Sequence, residues 1–151
     1  MSDYYFLAKK IYIASDHAGF ELKQYLINSL KKNNNNIEII DLGCDSAKNS
    51  VDYPDYANKL CEKITENDFG ILICGSGVGI SISANRHKKI RAALCFNKIM
   101  AKLARAHNNA NVICLGARFL KKKYALAICK TFFSQKFDGQ RHVARVEKLG
   151  L

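Results

Sequence analysis

None of the six cysteines in this 151-residue chain lies in a Cys-x-x-Cys pair. That argues against a zinc ribbon and against a thioredoxin-type redox motif. No apolar run approaches the ~20 residues of a membrane span. Residues 1–10 are too short and too mixed for a secretory leader. The expectation is a cytoplasmic chain with reduced thiols and no membrane partner. No Gly-Lys-Ser/Thr triplet occurs, which excludes a P-loop. There is no internal repeat and no linker, so the expectation is one domain over 1–151.

Acidic residues are scarce. Against 13 Asp+Glu stand 24 Lys+Arg, a net charge of +11. Such an excess suits an anion: nucleic acid, a membrane surface or a phosphorylated metabolite. Much of it is scattered lysine, as in Lys121-Lys122-Lys123, which reads as solvated surface. No aromatic-basic motif supports a nucleic-acid partner.

Short apolar runs alternate with helical patterns along the chain. Strands are expected at Ile11–Ser15, Ile37–Asp41, Phe69–Ile73 closing on Cys74, Ile90–Cys95 and Asn111–Leu115. Between them Leu22, Leu26 and Leu30, then Tyr56, Leu60 and Ile64, then Ile80, Ile82 and Ala84, then Met100, Leu103 and Ala104, mark helices. Asn33–Asn36 stops the first helix. A further helix is expected over Tyr124–Phe133, and the tail from Phe137 opens on Asp138-Gly139 and turns helical. Near-continuous apolar strands between helices predict a five-stranded parallel sheet covered on both faces. The expected fold is α/β: a single Rossmann-like three-layer α/β/α domain.

In such sheets ligands bind beyond the C-terminal strand ends. Those ends carry Asp16-His17, Asp41, Cys74-Gly75-Ser76, Cys95-Phe96-Asn97 and Gly116-Ala117-Arg118. The loop Gly75-Ser76-Gly77-Val78-Gly79 has the spacing G-x-G-x-G rather than G-x-G-x-x-G, and no carboxylate ends the next strand. A dinucleotide site is therefore not expected. What remains is a backbone nest before a helix, which attracts negative charge. A thiol at its mouth is held more as thiolate, able to act as base or nucleophile. Spacing alone leaves open that Cys74 is only the last buried residue of its strand. His107, near a helix end, is either a general acid or a helix cap. Asp16 and His17 either order hydroxyl groups or cap the helix that follows. Arg141 and Arg145, four apart, would share a helix face and with Arg118 suit a phosphate monoester, or form a surface patch.

Together, Asp16-His17-Ala18-Gly19, Asp52-Tyr53-Pro54 with Ala57, Cys74 through Gly79, Asn85, Arg91-Ala92, His107-Asn108 with Asn111, and Gly139-Gln140-Arg141-His142 with Arg145-Val146 closely resemble ribose-5-phosphate isomerase B. That family also holds galactose-6-phosphate isomerase subunits. The resemblance runs from about Lys10 to Lys148. It implies interconversion of ribose 5-phosphate and ribulose 5-phosphate through an enediolate, in the non-oxidative pentose phosphate pathway, without metal or cofactor. It implies Cys74 as the base moving a proton between C2 and C1, with the N–H groups of Gly75 to Gly79, Gly77 and Val78 among them, holding the enediolate oxygen. Ser76 keeps the hydroxyl of a position that is often threonine. His107 would open the furanose ring. Asp16 and Asn108 would orient hydroxyls, Tyr53 would line the sugar site, and His17, Arg118, Arg141 and Arg145 would gather round the phosphate. The site would lie between two subunits of a homodimer or dimer of dimers. The alternative substrates are allose or galactose 6-phosphate. Two further classes are a sugar-phosphate sensor without turnover and a nucleic-acid-binding module.

Overall fold

The structure is a computed structural model and describes residues 7–33 and 36–149. Asn34 and Asn35 of the asparagine tract lie outside the described residues, as do residues 1–6 and the last two of the expected C-terminal helix. In chain order the elements are β1 (Lys10–Ser15), a 3-10 turn (His17–Gly19), α1 (Phe20–Asn33), β2 (Glu38–Asp41), α2 (Tyr53–Lys63), β3 (Phe69–Cys74) and α3 (Val78–Ala84). There follow β4 (Ala92–Leu94), α4 (Lys98–Asn108), β5 (Val112–Gly116), α5 (Lys122–Ser134), a second 3-10 turn (Gln140–His142) and α6 (Val143–Glu147). All five strands are parallel, in the order β2-β1-β3-β5-β4.

Alternate residues of each central strand point to opposite layers, as period 2 requires. Ile11, Ile13, Ile71, Ile73, Ile113 and Leu115 pack with Leu22, Leu26 and Leu30 of α1, Ala101 and Ala104 of α4, and Ile128 and Phe132 of α5. Tyr12, Ala14, Leu72, Cys74, Val112 and Cys114 pack with Ala57, Leu60 and Cys61 of α2 and Ile80 and Ala84 of α3. The sandwich is the expected α/β/α arrangement.

Strand order sets the place of a crevice. From β1 the chain leaves through α1 on one face toward β2, and from β3 through α3 on the other face toward β4. The C-terminal ends of β1 and β3 are adjacent but their exits diverge. That is the switch point where α/β sheets open to a ligand.

Local signals explain the boundaries. Pro54 sits in the first turn of α2, where its missing N–H costs nothing. Asn97 caps α4 by accepting the Met100 N–H at 2.8 Å. Asn109, at φ 46°, closes α4 in the left-handed region. Several apolar residues of the helix patterns face outward. Ile82, Met100 and Leu103 are exposed, because Ile80 and Ala84, and Ala101, Ala104 and Arg105, take the sheet-facing sides. Arg105 is buried between Phe69 and Phe132, with donors on the carbonyl oxygens of Ala110 and Gln135 and the side-chain oxygen of Asn109. Burial pushes its guanidinium down to about 10, so it stays charged at neutral pH.

Candidate active site

Eight of the expected residues meet at the β1/β3 switch point. A cavity of about 180 Å³ is lined by Asp16, His17, Tyr53, Cys74, Gly75, Ser76, Gly79 and Arg118, together with Ala18. Cys74 ends β3 and its Sγ accepts the Gly77 N–H at 3.1 Å. The Val78 N–H donates to Ser76 Oγ at 3.2 Å, which fixes that hydroxyl at the start of α3.

The remaining walls come from other elements. Asp16 Oδ1 accepts the Gly19 N–H at 3.1 Å, so the aspartate does cap the 3-10 turn while its carboxylate stays at the cavity. The Val51 N–H donates to His17 Nδ1 at 3.1 Å. A donor on Nδ1 puts the proton of the neutral ring on Nε2, which leaves Nε2 as a donor. Nothing in the sequence patterning around Val51 signals this support.

The alternating glycines make room first for the protein itself. A Cβ at Gly75 would meet the Arg118 guanidinium at 2.8 Å, and one at Gly79 would meet the Tyr53 ring at 2.5 Å. At Gly77, φ is +79° and a Cβ would lie 2.9 Å from the Leu115 carbonyl carbon. Only glycine fits there on both counts. Val78, expected at the substrate, is exposed at the first position of α3. Two other strand ends are committed elsewhere: Asp41 to Lys23 Nζ and the Gly43 N–H, Asn97 to capping α4.

A second group lies apart from the first. α4 starts beyond the C-terminal end of β4 and runs back, so His107 and Asn108 sit where β5 begins. β5 has five residues, and at about 3.3 Å each the two ends of the sheet are about 16 Å apart. His107 stacks on His142, with ring centroids 4.3 Å apart and planes 12° off parallel. Its Nε2 lies 4.0 Å from Asp138 Oδ2. Asp138, Gly139, Gln140, Arg141 and His142 line a cavity of about 290 Å³. Burial, then His107, Arg141 and Arg145, push the His142 imidazole below its ordinary range, and Asp138 opposes them. The spacing of Arg141 and Arg145 predicts one shared helix face, but they do not lie in one regular helix. Gly139 at φ 66° and Gln140 at φ 47° put a left-handed bend at the start of the 3-10 turn that carries Arg141, and Arg145 follows in α6. Asn108 joins neither cavity; it lines a third, of about 420 Å³, with Arg91 and Asn85.

Four other thiols are buried deep in the sandwich. Burial pushes Cys61 and Cys95 up to about 12, and raises Cys114 and Cys129 strongly.

Known proteins share this architecture. The model of the ribose/galactose isomerase family matches residues 11–149. Ribose-5-phosphate isomerase B of Escherichia coli is 40% identical over 143 residues, 93% of this chain and 94% of that one. A solved ribose 5-phosphate isomerase B of Anaplasma phagocytophilum superposes with a TM-score of 0.92 at 46% identity, covering 96% of this chain and 99% of that one. That of Mycoplasma genitalium, solved with bound ribulose-5-phosphate, gives 0.87 at 41% identity and covers 92% of each chain.

Proposed function

Because the chain belongs to the ribose/galactose isomerase family, we propose that it interconverts ribose 5-phosphate and ribulose 5-phosphate through an enediolate. The observation that carries this reading is the Cys74 sulfur, which accepts a backbone N–H at the mouth of a glycine loop, in one cavity with Asp16, His17 and Arg118. A base, a nest of N–H groups and phosphate-binding cations are what this reaction needs in one place.

In the proposed sequence Cys74 removes the proton from C2 of the open-chain aldose and the electron pair moves onto O1. The loop's remaining N–H groups face the enediolate oxygen. The hydroxyl proton passes from O2 to O1, the carbonyl forms at C2, and Cys74 returns its proton to C1. The Ser76 hydroxyl lies beside this exchange. His17, through Nε2–H, and Arg118 hold the phosphate at the other end, and Asp16 and Tyr53 hold the sugar between. Remote phosphate contacts of this kind orient the reacting end.

Ring opening is assigned to His107, with Asn108 on a sugar hydroxyl and Arg141 and Arg145 on the phosphate. Within one chain they stand a sheet-length away from Cys74, farther than one pentose phosphate spans. We therefore assign them to the site of a second copy, packed antiparallel so that each copy's helix-end group meets the other's β1/β3 crevice. The exposed apolar side chains of Val78, Ile82, Ile99, Met100 and Leu103 on α3 and α4 supply a surface for that contact.

The test is turnover of ribose 5-phosphate by purified protein, with allose 6-phosphate run beside it. Production of ribulose 5-phosphate supports the reading. Turnover of the hexose alone would keep the mechanism and replace the substrate. Binding without turnover of either would overturn the reading in favour of a sensor.

A further inference from the structure

His107 does not stand alone at the end of α4. The His142 ring lies face to face on it, 4.3 Å away and within 12° of parallel. His142 is buried while His107 is partly open. The contact is built from both sides. The Asp138 N–H donates to the Ala106 carbonyl at 2.9 Å, which ties the loop to α4 one residue before His107. The His142 N–H donates to the Gly139 carbonyl at 2.9 Å, closing the 3-10 turn that presents the ring. That turn is entered through Gly139 at φ 66° and Gln140 at φ 47°. Left-handed backbone at a non-glycine residue is costly and persists where surroundings impose it.

Two imidazoles stacked this closely cannot both carry charge without strong repulsion. The groups that face His142 are unequal. His107 from α4, Arg141 from its own turn and Arg145 from α6 oppose a charge on it, and Asp138 favours one. The Asp138 carboxylate reaches His107 Nε2 at 4.0 Å.

We propose that His142 is a positioning residue for the ring-opening acid: its ring, stacked on His107, holds that imidazole in one plane. This rests on the assignment of His107 made above. Replacing His142 by a flat ring that cannot be protonated preserves the function, and removing the ring loses it.

The experiment combines steady-state turnover of ribose 5-phosphate with titration of the two imidazoles by NMR in the full-length protein. His142→Ala lowers kcat by about tenfold to a hundredfold, part of what a general acid contributes, with KM changed less than about threefold. His142→Phe recovers most of that loss. In His107→Ala the titration of His142 moves to higher pH, because a repelling neighbour has gone. The proposal is overturned if His142→Ala turns over like the parent, if Phe and Ala lose activity equally, or if the His142 titration does not move when His107 is removed. Absence of turnover in the parent protein would instead strike the isomerase reading, and the titration coupling would still decide whether the two rings act as a pair.

Discussion

Cys74 and Cys95 each stand at the C-terminal end of a strand, and both are nearly inaccessible. Their surroundings separate them. Cys74 Sγ takes a backbone N–H at 3.1 Å, whereas Cys95 is pushed up to about 12 by burial. Cys74→Ala is expected to lower kcat by at least about a hundredfold, the scale of losing a general base, with an unchanged circular dichroism spectrum. Cys95→Ala should keep the activity and cost about 1 kcal/mol of stability, which a urea titration reads. Retained turnover in the first variant would remove Cys74 as the base. At this scale the sequence was only partly legible. Asp16, His17, Cys74, Ser76 and Arg118 could be picked out as strand-end residues, and they do converge. His142 could not, because its meaning lies in a ring stacked from 35 positions earlier in the chain. Nor could Val51, whose backbone N–H sets the His17 tautomer and has no side-chain signature.

The element between β3 and α3 divides its glycines by task. At Gly77 a side chain would enter β5 and the backbone is left-handed, so Gly77→Ala should destabilise the fold by about 1–3 kcal/mol. At Gly75 the space belongs to the movable end of Arg118. Gly75→Ala should leave the melting temperature nearly unchanged and raise KM for a phosphorylated substrate, as the guanidinium swings away. Equal loss of stability in both variants would contradict this division. The sequence pattern showed that bare backbone was wanted in this loop. It did not show that an arginine and a tyrosine from elsewhere fill the space, because packing partners distant in sequence leave no local period. The same limit explains α4: its amphipathic pattern located the helix, but Met100 and Leu103 face outward while Arg105 is buried. Alanines suffice against the sheet, and a guanidinium can be buried where carbonyls and aromatic faces receive it.

At the scale of the whole molecule, burial and charge set the conditions for stability. Burial pushes Cys61 and Cys95 up to about 12 from an ordinary value of 9.0, and raises Cys114 and Cys129 as well. These are acids whose folded pKa is raised, so the unfolded chain releases protons first as pH climbs. Their contribution is complete below about pH 9 and is lost progressively toward about pH 12. Urea midpoints measured from pH 7 to 11 should fall above pH 9, and less steeply in Cys61→Ala. A flat profile would mean that these thiols are not desolvated in solution. Assembly is the larger consequence. If the open apolar side chains of α3 and α4 carry the proposed contact with a second copy, Ile82→Glu combined with Leu103→Glu is expected to yield a folded monomer by sedimentation that has lost its turnover.

In the proposed assembly each site draws its base from one copy and its ring-opening acid from another. Joint refolding of two inactive proteins, Cys74→Ala and His107→Ala, tests that sharing. In a twofold dimer each mixed pair has one site with both residues intact, so an equal mixture should regain about a quarter of the parent activity. A mixture as inactive as its components, with mixed dimers demonstrated by mass spectrometry, would contradict the shared site.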